Sequence, residues 1–168
     1  MAFRNKLAAL SALAGVLLAS YVLTFALSPE TRASRASRWS ALGAKAALEA
    51  DAVALSGAED LSLVKTNGVW FVDAAGNQFP ARASRVEDLF SALTREGFYP
   101  VRSRSAASYE KFGVGDNRRG AIVVKSGGVI LLELYLGNEG VSGNEAYLRS
   151  GAEEAVRSGA DVFSSFTG

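Results

Sequence analysis

The sequence predicts an α+β protein: an N-terminal transmembrane helix, then a mixed, mainly antiparallel sheet packed with short helices. Three observations predict it. Leu7 to Leu27, LAALSALAGVLLASYVLTFAL, holds no charged side chain. Asn67-Gly68 and Ser126-Gly127-Gly128 each separate two short apolar stretches, as hairpin turns do. Between them, Val86, Leu89, Phe90 and Leu93 recur at the spacing of one helical face.

The first segment is read as residues 1–27, a short tail and a membrane anchor. Its 21 uncharged residues would reach roughly 31 Å as a helix, about the thickness of a bilayer's hydrocarbon core. Pro29 closes the run. The competing reading is a cleaved signal peptide with Thr24 and Ala26 before the cut, but such peptides need an apolar region of only about 7–15 residues. Arg4 and Lys6 precede the run, while Arg32, Arg35 and Arg38 follow it, so the positive-inside count is nearly balanced. A short tail before a large domain favours the tail inside and the domain outside, a single-pass protein of the inner or cytoplasmic membrane. Ser11, Gly15 and Ala19 fall four apart on one helical face, where small residues let another transmembrane helix approach. They are the candidate membrane-packing residues. Residues 28–50, rich in Ala, Ser and Arg, read as a juxtamembrane linker or helix, with Trp39 at the interface and Leu42 one turn on.

Residues 51–168 read as an extracytoplasmic α+β domain. Ala52–Leu55 and Leu61–Thr66 are short strands, and Asn67-Gly68 turns the chain into Val69–Val72. Asp73 to Asn77 forms a further turn. Ser84 and Glu87 have the spacing of a capping box for the helix that follows, and Gly97 is its expected stop. Tyr99–Ser103 reads as a strand and Ser105–Phe112 as a short helix ended by Gly113. Ala121–Lys125 and Val129–Leu136 flank the second hairpin turn. The latter is apolar except at Glu133 and reads as a central strand. Ala146–Arg149 and Glu154–Ser158 form a last strand pair, before a short helix around Val162–Phe166. The alternative, a helix capped by Ser150 with Glu153, is opposed by the nearby Gly151 and Gly159.

Composition narrows the chemistry. About half the residues are hydrophobic (49%), enough for a packed core. There is no cysteine and no histidine. That excludes a thiol nucleophile, a Ser-His-Asp triad, an imidazole base and the usual structural zinc sites. Setting aside Arg4 and Lys6, the remaining 16 basic residues face 17 acidic ones. No basic excess marks a nucleic-acid partner. The segment Gly113-Val114-Gly115 with Gly120 lacks the Gly-Lys-Ser/Thr ending of a phosphate loop and reads as a helix stop and turn. Arg118 and Arg119, adjacent on entry to a strand, face opposite ways and read as a solvated edge. Glu59-Asp60 and Glu153-Glu154 fit turn or cap positions. Glu133 fits the wetter side of its strand. Trp70 and Phe71 lie on a hairpin, where alternation sends one to the core. The Gly137–Asn144 loop, with Tyr147 and Arg149 just beyond it, is the first place to look for a contact. The candidate partner or ligand residues are therefore Trp70, Asn138, Asn144, Tyr147 and Arg149. No catalytic, cofactor-binding or metal-binding residue is assigned.

The order of features from about Leu61 to Phe166 resembles a family. The segments that carry it are LVKTNGVWFV, FPARASRVEDLFSAL, SYEKFGVGD, LLELYLGN and AYLRSGAEEAVRSGADVFSSF. The family is a membrane-anchored, extracytoplasmic domain of unknown function, often encoded beside ABC transporters of the gliding-motility type. Its members are often longer, with more than one copy of the domain; one copy is covered here. The resemblance brings no catalytic residues. It implies a non-enzymatic, membrane-tethered accessory subunit of a transport or envelope complex, contacting other membrane-protein subunits. The alternative expectation is an extracytoplasmic module that binds an envelope glycan or peptide.

Overall fold

The computed structural model describes residues 14–21, 37–74 and 76–167. The chain divides into two compact units, Met1–Ala36 and Ser37–Gly168. In the first, residues 14–21 are helical and exposed. Ser11 and most of the expected anchor lie outside the described residues. Among the described residues, no helix is long and apolar enough to cross a membrane.

The second unit is built on a nine-stranded sheet in the order β5-β4-β3-β2-β8-β9-β10-β11-β7. These strands are β2 (Ala52–Ser56), β3 (Leu61–Thr66), β4 (Val69–Ala74), β5 (Asn77–Pro80), β7 (Val101–Ser103), β8 (Gly120–Ser126), β9 (Val129–Glu139), β10 (Glu145–Ser150) and β11 (Val156–Ala160). Each neighbouring pair is antiparallel. A separate two-stranded ladder joins β1 (Arg38–Trp39) to β6 (Gly97–Phe98). The described helices of this unit are α1 (Ala44–Glu49), α2 (Ala83–Thr94), α3 (Tyr109–Phe112) and α4 (Ser164–Thr167).

Both expected hairpins form. Asn67 (φ 52°) and Gly68 (φ 82°) take the left-handed conformations that a type I′ turn needs, and Gly127 and Gly128 do the same at 55° and 81°. Asp51 ties the two hairpins together. Its carbonyl accepts from Lys65 N–H (2.7 Å), its N–H donates to the Lys125 carbonyl (3.0 Å), and its carboxylate accepts from Gly127 N–H (2.6 Å).

One face of the sheet is closed by α2. Val86, Leu89 and Leu93 are its buried residues, and they join Val53, Leu63, Ile122, Val124, Leu134 and Leu148 in one core. Alternation along β9 sends Leu132, Leu134 and Leu136 into that core, leaving Glu133 and Tyr135 for the opposite face. That opposite face is partly open, with Ala54 and Ser62 exposed.

Several expectations are corrected. The helix begins at Ala83, with Arg82 as N-cap and no side-chain cap. Ser84 is thus inside the first turn and the Ser84/Glu87 capping box does not form. The cause is upstream: Ala81 N–H still donates to the Trp70 carbonyl (2.9 Å), so the chain leaves the sheet ladder and turns directly into helix. The helix ends at Thr94, and Gly97 lies in β6 instead of stopping it. At Gly97 a Cβ would collide with the Tyr99 ring. The turn at Asp73–Asn77 is tighter than expected and opens into β5, whose exposed residues and terminal Pro80 suit an edge strand. The strand expected at Tyr99 starts at Val101. Gly113 does end its helix, at φ 66°. Strand β9 continues to Glu139, so Gly137 and Asn138 belong to the sheet and not to a loop. The Ser150-capped helix is not formed; β10 and β11 pair.

Residues 37–50, assigned from the sequence to the linker, pack into this unit. Tyr99 N–H donates to the Ser37 carbonyl (2.6 Å) and Leu42 N–H to the Leu93 carbonyl (2.9 Å). Trp39 meets Tyr99 edge-on at 5.5 Å, and Leu42 and Ala50 are buried.

Leu134 is fully enclosed at the middle of the sheet. Replacing it with alanine is expected to destabilise the domain by about 2–5 kcal/mol, from lost transfer energy plus a residual cavity. Urea unfolding of Leu134→Ala against the parent chain measures this.

Candidate functional site

The sheet places two groups of sequence-selected residues on opposite faces. Trp70 is on the helix side. Its ring lies 5.5 Å from Phe90 of α2, and Lys65 Nζ stands 5.7 Å from its centre. Between α1, α2 and the start of β4 runs an open, mainly apolar groove of about 640 Å³. Ala47, Leu48, Val69, Trp70 and Phe90 line it, with Lys65 and Glu87 at polar positions. Leu48 is 82% exposed and Val69 53%. Phe71 faces the other way and is half-buried.

On the opposite face, Tyr147 and Arg149 lie two residues apart on β10. Arg149 sits directly across from Tyr135 in the β9 register. Its guanidinium carbon is 4.4 Å from the Tyr135 ring centre and 4.3 Å from that of Tyr109, which α3 brings over the sheet. Tyr109 is held by its hydroxyl, which donates to the Glu154 carbonyl (3.1 Å). Tyr147 packs on Phe112, also from α3, at 4.6 Å. Arg118 lies over Tyr135 as well, at 5.2 Å. Two arginines and three tyrosines thus converge.

The remaining candidates lie apart from this cluster or serve structure. Asn138 is exposed and stands against Gly113, where its side chain fills the space a Cβ would need. Asn144 is exposed at the β9–β10 turn, and its carbonyl accepts from Asp161 N–H (2.9 Å). Gly15 and Ala19 lie in the exposed helical stretch of the first unit; Ser11 is outside the described residues.

Arg119 departs from the solvated-edge expectation. It pairs with Asp161 at 2.8 Å, and Glu139 stands 4.0 Å away. Asp161 also accepts from Ser164 N–H (3.2 Å), fixing the start of α4. Glu153 pairs with Arg157 at 3.0 Å. Glu110 accepts from Asp116 N–H (3.0 Å), closing the turn after α3. The Glu133 carboxylate stands on the same sheet face as Tyr135, near enough to raise its phenol pKa. Among the described residues no cluster of three or more acidic side chains is placed to hold a metal ion.

Sequence reasoning found Arg149 and Tyr147, set Arg118 aside as part of a solvated edge, and missed Tyr109 and Tyr135. The period-two alternation of Glu133 and Tyr135 in an apolar strand was the available signal for one of them. No local pattern reveals that α3 folds back to lay Tyr109 on Arg149.

The architecture defines the class: a nine-stranded antiparallel sheet, closed on one face by helices, with an aromatic–arginine cluster on the other. The chain belongs to the family described as Domain of unknown function (DUF4340), which it matches over residues 70–158, slightly more than half its length. That span runs from β4 to β11 and includes α2, α3 and the Arg149 cluster. No curated protein and no solved structure matches the chain.

The phenols of Tyr99 and Tyr135 are both raised above the ordinary value near 10, chiefly by burial. For Tyr135 the neighbouring Glu133 carboxylate adds to the rise. The folded state therefore holds these protons more tightly than the unfolded chain. Their stabilising contribution is complete below about pH 10 and is lost as pH rises through the folded-state values. Unfolding midpoints measured between pH 8 and 11 should fall above about pH 10. The fall should be shallower in Tyr99→Phe and Tyr135→Phe; identical slopes in all three chains would contradict it.

Proposed function

We propose that this protein is a membrane-tethered accessory subunit without catalysis of its own, whose domain contacts a transport or cell-envelope complex outside the cytoplasm. The observation that carries the reading is the uncharged run Leu7–Leu27 behind Arg4 and Lys6, long enough as a helix to span a bilayer. The family resemblance adds an ABC-transporter setting as the expected complex. The engagement of Asp51, Glu110, Glu153 and Asp161 in structural contacts is consistent with a non-enzymatic role. Gly15 and Ala19, one turn apart, are the side of the anchor expected to meet a neighbouring helix.

Mild crosslinking in native membranes, followed by detergent purification and mass spectrometry, tests it. The expected outcome is recovery of integral subunits of one transporter or envelope assembly, reduced when Gly15 and Ala19 are both changed to leucine. A protein that stays monomeric and recovers no membrane partner refutes the reading.

The groove beside Trp70 favours a second reading, an extracytoplasmic module for an envelope glycan or peptide. Its open apolar lining and the aromatic pair Trp70–Phe90 suit stacking on a sugar face or an apolar side chain. Cell-wall glycan and peptide fragments should then raise the melting temperature of the full chain, and Trp70→Leu should abolish the shift. No shift with any fragment counts against it.

A further inference from the structure

Among the described residues, Arg119 and Arg149 bury their Nε without a hydrogen-bond partner for that atom. Arg119 meets the Asp161 carboxylate through a terminal nitrogen, as Arg157 does Glu153. Arg149 has neither a hydrogen bond nor an ion pair among the described residues. Its charge is met only by the faces of Tyr109 and Tyr135. Glu133 lies on the same face beside Tyr135 and makes no ion pair with Arg149. A guanidinium so placed has its planar fork of donors fixed in direction and its bonding capacity unfilled. Arg118 over the same Tyr135 ring adds a second positive charge, so two cations outweigh one carboxylate around that ring.

We propose that Arg149, flanked by Tyr109 and Tyr135 and supported by Arg118, is the receptor for a carboxylate carried on an acidic side chain of a partner polypeptide. Carboxylate geometry matches the fork, because two parallel N–H···O bonds form in the guanidinium plane. The tyrosine rings and the Tyr147–Phe112 pair supply apolar walls for the methylenes of a glutamate. Arg149 lines neither the Trp70 groove nor any enclosed space described above, which suits a side chain presented by a larger chain over a small acid engulfed whole. The site stands on the opposite sheet face from the Trp70 groove and does not depend on the tether reading.

The test is side-chain NMR on the full chain in detergent micelles, following the Arg Nε–Hε resonances. The probes are acetyl-Gly-Glu-Gly-amide, the same peptide with glutamine, and inorganic phosphate at matched ionic strength. The glutamate peptide should shift the Arg149 resonance saturably, while the glutamine peptide should bind at least about tenfold more weakly. Arg149→Lys keeps the charge but not the fork and should weaken binding by about tenfold. Because Arg149 is packed, Arg118→Gln at an exposed position provides a second variant, expected to weaken binding about two- to threefold. Three results overturn the proposal. They are tighter binding of phosphate than of the glutamate peptide, equal binding of both peptides, and linear shifts shared by all surface arginines.

Discussion

The register of β9 is the constraint on which the rest of the domain depends. It is the longest strand, eleven residues, and it pairs with β8 on one side and β10 on the other. In that register Leu132, Leu134 and Leu136 enter the core, while Glu133 and Tyr135 face the other side. A slip of one residue would exchange the two sets, exposing three leucines and burying a carboxylate. Core and aromatic cluster are therefore set by a single alignment. Irregularities in both ladders, between Val124 and Lys125 and between Ala146 and Leu148, adjust the strand without inverting its faces.

The helix side is completed by residues far apart in sequence. Residues 37–50 reach the core through Leu42 and Ala50, and their backbone binds both the end of α2 and the segment before β7. Trp39 packs against Tyr99, and Arg157 lies 5.3 Å from the Trp39 ring. The folded unit consequently starts at Ser37 and not at Asp51. Its entry segment is a structural part of the domain, so a truncation beginning at Asp51 would remove a wall of the core.

How much of this was legible follows from how local each signal is. The hairpins at Asn67-Gly68 and Gly127-Gly128 were readable, because positive φ at both turn positions favours those residues. The amphipathic face of α2 was readable from its period. Its boundaries were not, since the start is set by the Ala81–Trp70 hydrogen bond and Gly97 serves a contact with Tyr99 instead of a cap. Strand β5 escaped because four exposed edge residues carry no burial pattern. Residues 37–50 look like linker because Ala- and Ser-rich composition conceals two buried anchors. At the candidate site Arg149 and Tyr147 were visible as chemistry. Their partners Tyr109 and Tyr135 are 40 and 14 positions from Arg149, a distance that only the folded topology closes.

The two faces divide the functional readings in a useful way. The Trp70 groove is apolar and rests on α1 and α2, so changes there act through packing with Phe90. The Arg149 cluster is cationic and rests on β9, β10 and α3, and its only contact with the core is through the alternation of the strands. Substituting exposed groove residues such as Leu48 leaves the register of β9 untouched. Replacing Arg118, which is exposed, leaves Arg149 on its two rings. The faces are therefore separable by mutation, and an effect confined to one of them identifies which surface a partner uses. Were both to respond together, the shared element would be β9 itself, and the cause would be lost register, not lost recognition.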